Sequence, residues 1–151
     1  DGMNEKQIRE TRYQNGNLRS EEELLDGERH GVCRWYYDNG VLESEAEYVN
    51  GKREGAYRSY YENGNLWQES AFMHDLQSGI TRWYYETGAL ASVVNYRDGK
   101  QHGETLWYYP DGAIKLIENY RDGQLDGITK AYDRDGGVLF EDIYRNGEKL
   151  D

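Results

Sequence analysis

Three histidines, one cysteine and a surplus of carboxylates are the groups in this 151-residue chain that could do chemistry. His30 and His102 each precede a glycine, the setting of loop-borne proton transfer or metal ligation. The corresponding position holds Glu54, Ser78 and Asp126 elsewhere in the chain, so a polar turn residue is the better reading. His74 lies in an irregular stretch, Met73-His74-Asp75-Leu76, which reads as repeat decay or as a contact loop. Asp133-Arg134-Asp135-Gly136 begins like a calcium loop but lacks the downstream bidentate glutamate, and reads as a hairpin turn. Glu45 and Glu47 share one face of a strand without the burial that would tune either one as an acid or base. No phosphate-binding loop, nucleophile elbow or zinc-ligand cluster occurs, so no enzyme activity, cofactor or metal is expected. Cys33 alone excludes an internal disulfide framework.

The aromatic residues offer a different kind of chemistry. Fifteen Tyr and four Trp supply broad amphipathic surfaces, and they argue against the disorder that a net charge of −11 would otherwise suggest. Tyr36, Tyr60, Tyr84 and Tyr108 recur at a fixed interval, as rigid contact residues would. With Glu43, Glu45, Glu47 and Glu69 they form the candidate partner-binding patch; Trp35, Trp83 and Trp107 are the alternative, a row on which sugars could stack.

Those intervals come from a repeat. Gly16, Gly40, Gly64, Gly88, Gly112 and Gly136 lie 24 residues apart without insertion or deletion, and two further glycine series keep the same period. The first four repeats contain Tyr-x-x-Gly-x-Leu, as in Tyr37 to Leu42, and Asn39-Gly40 reads as a two-residue hairpin turn with both residues at positive φ. That turn places Arg34 opposite Glu45, Arg58 opposite Glu69 and Lys130 opposite Glu141, and sets Trp35 against Ser44 and Trp83 against Ser92. A second hairpin near Gly51-Lys52 joins each unit to the next and brings Tyr48 beside Gly55. Alternation then assigns Trp35, Tyr37, Leu42, Ser44, Ala46 and Tyr48 to a packing face, and Arg34, Tyr36, Glu43, Glu45 and Glu47 to solvent.

The expected fold is all-β: one domain over residues 1–151, an elongated, twisted, single-layer antiparallel meander of six tandem 24-residue β-hairpins. The units run about 13–36, 37–60, 61–84, 85–108, 109–132 and 133–151, behind a charged N-terminal edge segment, 1–12. Twelve strands at the usual spacing would extend about 55 Å.

The motif running from Tyr37 to Gly55 resembles the MORN repeat, in particular its bacterial variant. The resemblance covers about residues 13–150 and implies hairpin repeats with no catalytic residue to carry over. Proteins similar in this way include YwqK-type antitoxins, which implies an antitoxin or immunity role against a toxin or effector. The acidity points to a basic protein partner and away from nucleic acid and anionic membrane. An envelope-associated structural or glycan-binding protein is the alternative function. The oligomeric expectation is a monomer, and cytoplasm is favoured unless a signal has been removed; Met3-Asn4 reads as a start behind two extra residues or as the sequel of such a signal.

Overall fold

The computed structural model describes residues 5–151. The reading of Met3-Asn4, and the first four residues of the expected edge segment, lie outside that range. The chain divides into two compact units, the first ending at Leu76 and the second beginning at Gln77. The first holds β1 (Lys6–Arg12), β2 (Leu18–Leu25), β3 (Glu28–Tyr36), β4 (Leu42–Val49), β5 (Lys52–Tyr60) and β6 (Leu66–Met73). After β7 (Leu76–Gln77), the second holds β8 (Gly79–Tyr84), β9 (Leu90–Arg97), β10 (Lys100–Tyr108), β11 (Ile114–Arg121), β12 (Gln124–Leu125), β13 (Gly127–Tyr132), β14 (Val138–Arg145) and β15 (Glu148–Leu150). Within each unit, strands pair antiparallel with their neighbours in sequence, a single-layer meander of tandem repeats about 24 residues long.

The expected register holds along most of the first hairpin in each repeat. Arg34 faces Glu45, Trp35 faces Ser44, Arg58 faces Glu69, Trp83 faces Ser92 and Lys130 faces Glu141. The turn that produces it differs from expectation. Gly40 N–H donates to the Tyr37 carbonyl and Tyr37 N–H to the Val41 carbonyl, closing a three-residue loop in which only Gly40 has positive φ. That loop alone would shift every pair by one. A bulge at Glu43 restores the register, because Tyr36 pairs with Leu42 while Trp35 pairs with Ser44. Leu42 therefore joins the Tyr36 face, not the Trp35 face.

The two-residue turns with both residues at positive φ occur instead in the second hairpin. They are Asn50-Gly51 and its counterparts, Asp98-Gly99 among them, one residue earlier than the sequence reading placed them. Tyr48 accordingly pairs with Arg53, not Gly55, and the three residues 54–56 bulge out opposite Glu47 alone. Gly55 sits in that bulge at φ 107, where a Cβ would meet the Glu47 carboxylate, so glycine is required twice over. Glu47 Oε2 accepts the bulged Ala56 N–H at 2.8 Å, and Glu23 does the same for Val32 at 3.0 Å. In the second unit Asn95 and Asn119 donate their amides to the carbonyls of Glu104 and Ile128 at 2.7 and 2.8 Å.

The core is thin. The most deeply buried side chains are small ones, Cys33, Thr81, Ser92 and Thr105. Ser92 is fully buried between Trp83 and Trp107, its partners on the two neighbouring strands.

Candidate functional site

Within each unit, side chains tie one repeat to the next beyond the strand ladder, and these ties decide which side chains are free to act. Tyr37 donates its phenol to the Tyr60 carbonyl at 2.6 Å, and Tyr109 donates to Tyr132 at 2.7 Å. Tyr13 reaches Tyr36, and Tyr85 reaches Tyr108, in the same manner. Tyr37, Tyr85 and Tyr109, each the second of a Tyr-Tyr pair, are thus structural tethers, a role the sequence reading did not assign. Its only advance signal was the 24-residue period itself.

The histidines are absorbed in the same way. His30 Nδ1 accepts the Asn50 N–H at 3.2 Å, and His102 Nδ1 accepts the Asp122 N–H at 3.2 Å. Glu54 and Asp126 accept the equivalent turn N–H of His74 and Asn146. What the position needs is an acceptor, which explains why His, Glu and Asp share it. Asp133, where other repeats carry the tether tyrosine, turns inward and accepts from the N–H groups of Asp135 and Gly137 at 2.9 and 2.8 Å. Among the described residues no three His, Cys, Asp or Glu side chains converge as a metal site would need. Burial pushes the Cys33 thiol up, away from the reactive thiolate.

The acidic and aromatic patch is brought together in part. In the first unit a charge ladder crosses five strands: Glu21, Arg34, Glu45, Arg58 and Glu69. Arg34 lies 3.7 Å from Glu21 and 3.2 Å from Glu45, and Arg58 lies 3.7 Å from Glu45 and 3.2 Å from Glu69. Tyr36 and Tyr60 share the ladder's face. Their phenols are pushed up by burial and then by the nearest carboxylates, Glu21 for Tyr36 and Glu45 for Tyr60. Glu45 and Glu69 stand beside them. Glu47 lies on the same face with one oxygen committed to the bulge.

Glu43 departs from the grouping. It raises the phenols of Tyr37 and Tyr57 after burial does, and so points to the face opposite Glu45. Bulge geometry is the reason, since it turns two successive side chains to one side. At the equivalent bulge positions Arg19 lies over the Tyr13 ring at 4.9 Å and Lys115 over Tyr109 at 5.7 Å. In the second unit Tyr84 and Tyr108 pair with Leu90 and Ile114, on the face that carries Arg82 and Leu106.

The opposite face carries a second cluster that sequence reasoning missed. Glu22 is almost fully buried, yet both Arg9 and Arg29 grip its carboxylate with Nε and Nη2, all at 2.7 Å. Burial alone would raise this acid, but the two guanidiniums hold it below the usual carboxylate range. Arg29 also lies over the rings of Trp35 and Tyr48, at 5.2 and 5.4 Å. In the second unit Glu118 takes the equivalent place and accepts from Trp107 Nε1 and the Tyr120 phenol, both at 3.2 Å. Trp83 and Trp107 of the alternative row lie on this face.

The comparison with protein families agrees with this architecture. A family model described as a MORN repeat variant matches residues 29–50, 53–73, 77–98 and 101–122, together more than half of the chain. No curated protein gives a significant match.

Proposed function

This chain belongs to the family of MORN repeat variants, and from that premise we propose that its repeats, read as six 24-residue hairpins, form an antitoxin or immunity-type module that binds a basic toxin or effector. It is a non-enzymatic protein of repeat architecture, suited to protein interaction. One observation carries the choice of surface: in the first unit Tyr36 and Tyr60 share the face of a ladder in which three carboxylates, Glu21, Glu45 and Glu69, alternate with two arginines. Arg34 divides its contacts between Glu21 and Glu45, and the Glu21 side chain stays 32% exposed, within reach of a cationic partner. The site comprises Tyr36, Tyr60, Glu45, Glu47 and Glu69, with Tyr84 and Tyr108 on the corresponding face of the second unit. Glu43 serves the other face.

Affinity capture from the native lysate, with the parent chain and with Tyr60→Ala and Glu69→Lys chains, tests this reading. A specific basic protein should be retained by the parent, weakened by either substitution and released as salt is raised. Retention indifferent to salt and to both substitutions would remove it.

A second reading, glycan binding, draws on Trp83 and Trp107, which flank Ser92 on one face about 10 Å apart. Oligosaccharide titration followed by tryptophan fluorescence would separate the two readings.

A further inference from the structure

On the ladder face of the first unit, β3, β4 and β5 enclose a cleft of about 210 Å³. Val32, Glu47 and Ala56 line one end of it, and Arg34, Glu45 and Arg58 the other. Register accounts for the hollow. Val32 faces Glu47 from β3, and on the β5 side the bulged residues 54–56 lie opposite Glu47 alone. Glu47 therefore stands between two short apolar side chains, where Glu45 stands between two arginines.

The two carboxylates of the cleft differ in what they have left to offer. Glu45 is saturated, with Oε2 at 3.2 Å from Arg34 and Oε1 at 3.7 Å from Arg58. Glu47 spends Oε2 on the bulged Ala56 N–H at 2.8 Å, and among the described residues no donor or cation pairs with its Oε1. Both arginines have their other contacts elsewhere, Arg34 with Glu21 and Arg58 with Glu69. Four carboxylates, Glu47 included, thus stand against two guanidiniums, and the surplus favours a cation. The single free oxygen narrows the choice. It cannot accept the paired N–H fork of an arginine, but it can accept from an ammonium, a compact charge on a flexible stem.

We propose that this cleft takes one lysine side chain of the basic partner, its ammonium on Glu47 Oε1 and its methylenes along Val32 and Ala56. This rests on the reading of the partner as a basic protein and names the side chain that the ladder face selects. In the second unit Asn95 and Asn119 hold the place of Glu47 and donate to the carbonyls of Glu104 and Ile128, so the lysine site belongs to the first unit.

Nα-acetyl-lysine methylamide titrated into the full chain should move the Ala56 amide resonance, because that N–H is held by the other oxygen of Glu47. Glu47→Gln keeps a carbonyl oxygen for the same N–H while removing the charge, and should weaken the lysine probe about threefold. Slow hydrogen exchange at Ala56 shows that the bulge persists in that chain; if exchange is fast, comparison of two probes in the parent decides alone. There Nα-acetyl-arginine methylamide should bind about threefold more weakly than the lysine probe. Equal binding of the two probes, lysine affinity unchanged in a Glu47→Gln chain with its bulge intact, or shifts spread over the acidic surface without a maximum at Ala56 would each overturn the cleft. Lysate capture with Tyr60→Ala and Glu69→Lys leaves Glu47 in place, so failure of either experiment is read apart from the other.

Discussion

Glu22 shows how a single carboxylate can be buried in a sheet that has almost no interior. Two arginines grip it, and each keeps part of its guanidinium in water, which lowers the cost of desolvation compared with a fully buried pair. Removing one of them, Arg9→Ala, should destabilise the chain by about 1 to 2 kcal/mol in denaturant unfolding, below the cost of breaking a deep pair. The folded carboxyl lies below its unfolded range of about 4.3, so its stabilisation is complete above that value and lost as pH falls through the folded one. Stability measured from neutral pH downward should drop more steeply in the parent than in Glu22→Gln. Tyr120 gives the opposite sign. Burial and then Glu118 push its phenol up to about 12, so its contribution is complete below about 10 and lost toward 12. Ultraviolet titration of Tyr120→Phe should lose one late-ionising step relative to the parent. Ser92 makes a third case: its buried Oγ has no hydrogen-bond partner, and Ser92→Ala should leave the melting temperature unchanged or raise it.

At the scale of the hairpin, side chains complete backbone geometry that strands alone cannot. Glu47 fills the hole left by the bulge at Gly55, and the two positions form one device. Gly55→Ala should cost about 1 to 3 kcal/mol from strain at positive φ and from displacing the carboxylate. In a Glu47→Ala background the same substitution should cost less, and a thermal-denaturation cycle measures the difference. The ladder pairs are weaker individually. A double-mutant cycle on Arg58 and Glu69 should return about 0.5 kcal/mol, because both side chains remain partly in water.

For the molecule as a whole, a net charge of −11 sets which surfaces can approach. Neither duplex nucleic acid nor anionic vesicles should bind at physiological salt, which mobility-shift and flotation assays would check. The two units differ in what they present. The first carries the five-membered arginine-glutamate ladder, while in the second the equivalent contacts include an apolar pair, Leu106 against Ile117, beside the charged pair Lys130 and Glu141. A partner steered by charge should therefore meet the first unit more strongly, and substitutions at Tyr36 and Tyr60 should weaken it more than those at Tyr84 and Tyr108.

The period of the glycines and tyrosines was enough to read off strands and the opposite-charge pairs within each hairpin, because cross-strand neighbours are set by turn spacing and each repeat checks the others. Arg34 with Glu45 and Trp83 with Ser92 were legible for that reason. Turn type was not, since a two-residue turn and a three-residue turn with a compensating bulge yield the same pairs. That ambiguity hid the side on which Glu43 and Leu42 fall. The roles of Tyr37, His30 and Glu47 also escaped the sequence, because each depends on how a side chain meets the backbone of a neighbouring strand or repeat. Only the stacking of one hairpin on the next brings those groups within hydrogen-bonding distance.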